Sequence, residues 1–464
     1  MYPELLNSFY VCQMPLTPAA SELQVDTSNR QILRMALPIS LAMLIPQINF
    51  VTNTVFLSYD EIVLGTAGIT GVFYLIFSLT GNGLNAGLQG LIARRAGENR
   101  PEAIGPLYIQ GIWIAMFYAI GALLVTYFLA PLILGSTLHS KPVTDSALEF
   151  LRIRVWGVPF LYVFQMTNAF FVATNQSRYM KYGFWTMALL NIFLDYVLIY
   201  GKLGFPRMGF NGAAYASIAA EIAGMLVALG IIFLKKMDDR FSLFKKLRYE
   251  ISIASLVFRQ SLPLVGQWLI SILAWLVFYI FIEHLGERPL AISNTMRTIF
   301  GIVGIFSWAF ASTSNAMVSN IIGQGKQQEV RKLITRIMLL SLAFTFILCV
   351  IINVIPAAFL GIYSSDPGFI AEAVPVLRMV SVSILIMAIA TVWLNGVTGT
   401  GNTRVNLVIE VVAILLYTLY IYLVLKVWDL GLIWAWGSEF LYWSVLFILS
   451  FFYIRSGKWK KTTI

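Results

Sequence analysis

Twelve stretches of this 464-residue chain are apolar over the length a bilayer requires, about 20 residues each. They lie near residues 33–57, 63–93, 104–131, 150–173, 180–201, 209–234, 256–283, 290–320, 333–358, 373–398, 405–427 and 431–454. In hydrocarbon a backbone must satisfy its own hydrogen bonds, and apolar runs of this length do so as helices. Only 12% of the residues are charged and mean hydropathy is +0.79, against roughly 25% charged in soluble domains. The reading is an all-α polytopic membrane protein.

The chain also repeats. Arg34-Met-Ala-Leu-Pro38 returns as Arg259-Gln-Ser-Leu-Pro263 at an offset of 225. Leu151-Arg152 returns as Leu377-Arg378, Ala96-Gly97 as Ile322-Gly323, and Asn175-Gln-Ser-Arg178 as Gly401-Asn-Thr-Arg404, all at 226. One register across most of the chain implies two halves of six spans. A seam between two such lobes is where secondary transporters bind their cargo.

Basic residues orient the spans. With twelve spans both termini share a side, and that side collects 23 of the 32 lysines and arginines, including Arg94, Arg95 and the run from Lys235 to Arg259. The termini are therefore expected in the cytoplasm and the protein in the cytoplasmic membrane. The +10 charge then meets anionic lipid headgroups, with no nucleic acid implied. The expected organisation is a cytoplasmic tail over 1–30, an N-lobe over 31–234, a linker over 235–255, a C-lobe over 256–454 and a tail over 455–464. Phe241 to Tyr249 within the linker reads as a basic amphipathic helix on the membrane surface.

Several chemistries find no motif. No Gly-x-x-x-x-Gly-Lys-Ser/Thr phosphate cradle is present, and Gly323-Gln-Gly325 and Gly399-Thr-Gly401 read as turns. His139 and His284 lack metal-ligand spacing, and Cys12 and Cys349 imply no disulfide framework. The first 30 residues carry no signal peptide pattern, and Met14 is an alternative start. The chain is read as a non-enzyme with no cofactor, whose uphill transport would run on an ion gradient.

The residues that carry a family likeness are Leu37-Pro38, Leu64-Gly65, Ala93-Arg-Arg-Ala-Gly97, Leu151-Arg-Ile-Arg154 with Pro159, Asn191-Ile-Phe-Leu-Asp195 and Gly212-Ala-Ala-Tyr-Ala-Ser217. Through these the chain resembles the multidrug and toxic compound extrusion (MATE) transporters over nearly its full length. The resemblance implies two six-helix bundles in a V, related by a pseudo-two-fold axis along the membrane normal. It also implies export of organic, often cationic, compounds in exchange for H+ or Na+. An asparagine and an aspartate at Asn191 and Asp195, with a hydroxyl at Ser217, are implied to line an N-lobe cation site.

The residues support such a site on their own terms. An aspartate near mid-bilayer costs about 2.5 to 3.5 kcal/mol on insertion scales and is rarely idle. Asn191 lies four residues before Asp195 on the same helical face, and Ser217 and Glu221 are again four apart in the next span. Proton coupling needs a carboxyl that loads and unloads near physiological pH, whereas Na+ would take hard oxygens from Asp195 and Asn191. A carboxylate fixed structurally by helix partners is the plain alternative.

Two positions depart from the family pattern. Many members carry an aspartate where this chain has Asn53, and some carry a glutamate where it has Ser271; both sites are neutral here. Glu439 takes the place in the last span that Ser217 holds in the sixth. With Gln267, Ser271 and Arg297 it outlines a C-lobe substrate or coupling site, the alternative being a Glu439–Arg297 pair. Glu410 is expected to snorkel to the cytoplasmic interface. Pro38 and Pro46 mark the first span as a bend and a candidate switch. Aromatic residues of the second lobe suit organic cations or a membrane belt, and Gly83-x-x-x-Gly87 suits close helix packing.

The expected function is a monomeric, cation-coupled exporter of small organic compounds. The alternative is a lipid-linked precursor flippase of the same superfamily, which would call for a strongly basic cavity where this chain offers mainly Arg297.

Overall fold

The computed structural model describes residues 22–57, 61–138 and 140–462; Cys12, Met14 and His139 lie outside the described residues. Among the described residues, twelve helices are long and apolar enough to cross a membrane. They are α1 Asn29–Leu57, α2 Gly65–Gly97, α3 Pro101–Thr137, α4 Lys141–Ala173, α5 Ser177–Tyr200, α6 Phe210–Leu234, α7 Ile251–Glu283, α8 Glu287–Gly323, α9 Gln327–Val354, α10 Pro367–Gly399, α11 Thr403–Val427 and α12 Leu432–Ser456. The first six form one bundle and the last six the other, the two meeting through α1, α2, α7 and α8. The helix ends follow local chemistry. Gly201 closes α5 at φ +66°, where a side chain would be strained. Asp366 starts α10 by accepting the amides of Gly368 (2.9 Å) and Phe369 (3.3 Å). α1 runs as one helix through Pro38 and Pro46.

The linker departs from expectation. The helix is Met237–Phe241, five residues long, and α7 begins at Ile251. Ser242 at φ +53° ends the short helix. Phe241 and Leu243 are fully buried, Phe241 lying edge-on to Phe170 at 5.2 Å. Anchoring into the first bundle thus replaces the amphipathic surface helix, and within 241–249 only the stretch from Lys245 to Tyr249 is exposed.

The seam is sealed at the end of the molecule where residues 23–27 and Thr462 lie. There α2 and α8 cross at Gly97 and Gly323, the repeat-related pair. A Cβ on Gly97 would overlap the Asn320 carbonyl, and one on Gly323 would overlap that of Arg94; Arg94 and Asn320 are themselves 226 apart. Higher up, Gly83 would meet Val265 N at 2.7 Å and Gly87 would meet the Ser261 hydroxyl, both on α7. Polar bonds stitch the same seam. Gln89 donates to Ser312 O at 2.7 Å, Asn315 to Ala86 O at 2.9 Å and Ser319 to Gly90 O at 2.6 Å. Arg94 donates to the carbonyls of Gly399 and Thr400.

The segment before α1 lies across this seal. Leu23 and Val25 are buried. Gln24 donates to Gly97 O on α2, while Asn320 donates to Leu23 O and accepts from Val25 N. Gln324 donates to Val25 O and Arg336 to Thr27 O.

A side chain at the crossing must push α2 from α8. Gly323→Val is expected to cost about 1 to 3 kcal/mol by overpacking, read as a lower unfolding temperature in detergent. Hydrogen exchange at residues 23–27 should rise in the same variant, whereas Gly301→Val, at a glycine with open space around it, should change neither.

Candidate functional site

The first bundle's polar cluster is built where α5 and α6 approach. The hairpin between them is tight: Met208 N donates to Leu198 O at 2.8 Å, and a Cβ on Gly212 would sit 2.9 Å from the Leu198 carbonyl. This brings Ser217 to Asn191, whose amide donates to the hydroxyl at 3.4 Å. Asp195 is fully buried and Asn191 nearly so. From α1, Asn53 completes the group. With its amide turned so that both ends find complementary partners, Nδ2 lies 2.6 Å from Asp195 Oδ2 and 3.3 Å from Asn191 Oδ1. Asn53, Asn191, Asp195 and Ser217 are therefore one cluster.

The second oxygen decides what the cluster can do. Asp195 Oδ1 is buried with no hydrogen-bond partner among the described residues, and so is Asn49 Oδ1 one turn before Asn53. Unpaired buried oxygens are costly. Carboxylate, amide and hydroxyl oxygens form a hard donor set suited to an alkali cation. Asn49 belongs with the cluster, and its i, i+4 spacing to Asn53 was the available signal.

Glu221, expected beside Ser217 as a coupling group, is committed elsewhere. Its carboxylate is held by both arms of Arg154 at 2.8 and 2.6 Å and accepts from the Tyr74 hydroxyl at 3.0 Å. The guanidinium lies 3.8 Å above the Tyr74 ring centroid, and Gly157 leaves the space, since a Cβ there would overlap Glu221. A bidentate buried pair already neutralises Glu221, so it is a structural acid. Arg154 lay in the family-like motif, but sequence gave it no partner.

The second bundle holds two buried acids. Glu410, expected at the interface, is 1% exposed. It sits seven residues into α11, which begins at Thr403, and is buried because its face of the helix is turned to α7 and α12. Glu410 accepts from Ser271 at 2.7 Å, from Gln267 at 3.1 Å and from the Tyr442 hydroxyl. Asn406, one turn earlier, donates to Gln267 Oε1 at 2.7 Å, and its own Oδ1 is buried without a partner. The carboxylate absent at Ser271 is thus supplied across the interface from α11.

Glu439 is 2% exposed and accepts from Trp443 Nε1 at 2.9 Å. It makes no ion pair with Arg297 among the described residues; Arg297 is exposed and sits over the Tyr279 ring at 5.4 Å. Arg297 therefore stands outside the C-lobe cluster that sequence had drawn around it. Aromatic rings wall the acids: Tyr442 against Trp443 at 4.7 Å, Tyr417 against Tyr442 at 5.8 Å, and Trp436 against Phe278 at 5.2 Å. Trp436 and Tyr417 are buried packing residues, whereas Trp434 is 54% exposed. Among the described residues no group of three His, Cys, Asp or Glu side chains is placed to hold a metal.

Removing one partner of a buried ion pair strands the other, at about 3 to 5 kcal/mol. Arg154→Met and Glu221→Leu should each lower the unfolding temperature sharply, and the double variant should recover most of the loss. If Glu221→Leu alone were as stable as the parent, the pairing would not be structural.

Comparison with known proteins follows this geometry. Over 447 residues the chain is 23% identical to the probable multidrug resistance protein NorM of Thermotoga maritima, covering 95% of both chains. It is 26% identical to the protein of the same name from Synechocystis, covering 86% of this chain and 88% of that one. A crystal structure of a MATE protein in complex with MaL6 superposes with a TM-score of 0.87 at 17% identity, covering 95% of this chain and 99% of that one. The MatE family profile matches residues 38–197 and 263–423, one segment in each bundle. This protein is a membrane transporter, not an enzyme, and belongs to the MatE family.

Proposed function

We propose that the protein is a secondary antiporter that exports organic cationic or amphipathic compounds across the cytoplasmic membrane, termini inside, in exchange for Na+. The observation that carries this reading is Asp195 Oδ1, buried and without a partner among the described residues, in one cluster with Asn53, Asn191 and Ser217. An alkali ion there satisfies that oxygen and neutralises the carboxylate together. Asn53 supports Na+ over H+, since an amide in place of a second acid removes a second proton site. The relatives named as multidrug resistance proteins support the cargo class.

The C-lobe cluster suits the cargo. Glu410 and Glu439 supply negative charge without a paired base, and the partly exposed rings of Tyr442 and Trp443 present faces that attract organic cations. If ion and cargo favour opposite states of the seam, each lowers the other's affinity, which is the reciprocal coupling exchange needs. The flippase alternative gains no specific support: Arg154 is neutralised by Glu221 and Arg297 lies over Tyr279.

The test is efflux of a fluorescent organic cation from vesicles under imposed Na+ or pH gradients. A Na+ gradient should drive efflux in the parent, and Asp195→Asn should lower the driven rate by about tenfold or more. Efflux driven by pH alone would replace Na+ with H+; efflux untouched by Asp195→Asn would reject the site. Glu410→Gln should raise the KM for the organic cation about fivefold while leaving Na+ dependence in place.

A further inference from the structure

On the side of the second bundle turned away from α7, a crevice of about 630 Å³ opens between α10, α11 and α12. Its walls include Arg378, Met379, Val382, Trp434, Gly437 and Phe440. The opposite face of α12 carries Trp436 into the bundle against Trp275 and Phe278 of α7, so the crevice looks outward. Val382, Trp434 and Phe440 are 47%, 54% and 44% exposed, which on a membrane-spanning surface means contact with lipid.

The repeat shows that this opening is specific to one lobe. The 226 offset that pairs Arg152 with Arg378 also pairs Trp156 with Val382. The register that places Glu439 at the Ser217 position also pairs Tyr215 with Gly437. The first bundle thus carries an indole and a phenol where the second has an isopropyl group and no side chain. Gly437 lets Tyr420 form the crevice floor, since a Cβ would sit 2.7 Å from the Tyr420 hydroxyl. Arg152 lies over the Tyr127 ring at 6.0 Å, whereas Arg378 has no salt bridge or ring partner among the described residues.

Depth identifies what Arg378 meets. α10 has 33 residues, about 50 Å at 1.5 Å each, and overhangs a 30 Å hydrocarbon core by about 10 Å at either end. Arg378, eleven residues into the helix, has its Cα roughly 6 Å below the hydrocarbon boundary, so its side chain reaches back to the headgroup layer. Trp434 is the third residue of α12 at the same end. An unpaired guanidinium at this depth is costly, and a phosphate matches it with two parallel hydrogen bonds.

We propose that the crevice is a phospholipid site: a glycerophospholipid of the leaflet remote from the termini sets its phosphate on Arg378 and one acyl chain between α10 and α12. Native mass spectrometry of the detergent-purified protein, titrated with phosphatidylglycerol and in parallel with diacylglycerol, tests it. The parent should retain one phosphatidylglycerol at low molar ratio and little diacylglycerol. Arg378→Gln should weaken that binding about fivefold. Val382→Trp, which installs the residue of the other lobe, should weaken it similarly by filling the crevice, and Arg152→Gln should leave it unchanged. Equal retention by the parent and Arg378→Gln, equal retention of the two lipids, or an equal loss in Arg152→Gln would each overturn the site. Unfolding temperatures of the variants separate loss of lipid from loss of fold.

Discussion

The structure turns on what it costs to bury a carboxylate among helices solvated by lipid. An isolated charge there is penalised by several kcal/mol even after relaxation, so each buried acid must find a cation, a set of donors or an exchangeable ion. Glu221 finds Arg154 and is cancelled. Glu410 is met by three neutral donors on α7 and α12. Glu439 has an indole, and Asp195 has one amide on one oxygen and nothing on the other. That graded satisfaction separates scaffold from site. The acid with a full partner set holds the first bundle together, and the acid left half-satisfied is where an ion lowers the energy most.

Pseudo-symmetry explains why the two lobes differ in use while sharing a frame. Both clusters lie on equivalent helix pairs, α1 with α5 and α7 with α11, yet not at equivalent depth. At the 226 offset the counterpart of Asp195 is Ile421, eleven residues beyond Glu410, or about 16 Å along the helix. Glu410 therefore sits closer to the sealed end and Asp195 closer to the other. A duplicated fold has kept its helix packing and moved its charge. Under the proposed exchange, an ion and a cargo held in these separate clusters would be coupled only through the position of one bundle against the other.

Much of this was legible in the chain. Apolar length fixed twelve helices, and the repeat implied two bundles. The Asn191–Asp195 spacing with Ser217 foretold a cluster that local hairpin geometry does assemble. The sequence signals failed where a partner comes from a distant helix. Glu221 and Ser217 are i, i+4 neighbours, but the guanidinium that claims Glu221 arrives from α4. Glu410 looked interfacial because Arg404 lies six residues away, whereas its burial depends on how α11 turns toward Gln267 and Ser271. The linker misled for a related reason: Phe241, Leu243 and Phe244 have helical spacing with basic neighbours, but the apolar groups insert into the first bundle rather than into lipid.

The seal combines apolar packing of α2 on α7 and α8 with weak, reversible polar links, and the polar links bear on the proposed exchange. At the Gly97–Gly323 crossing the backbones touch without large side chains to interlock, and the bonds across it run mostly from side-chain amides and hydroxyls to carbonyls. The 23–27 segment adds a few more of the same kind. Each contributes about 0.5 to 1.5 kcal/mol net. Inverting a two-state balance from 1:99 to 99:1 takes about 5.5 kcal/mol of differential binding. A handful of such bonds is of that order, so in the proposed exchange the polar part of the seal is within reach of differential ligand binding, while the apolar contacts of α2 with α7 and α8 hold the rest of the seam.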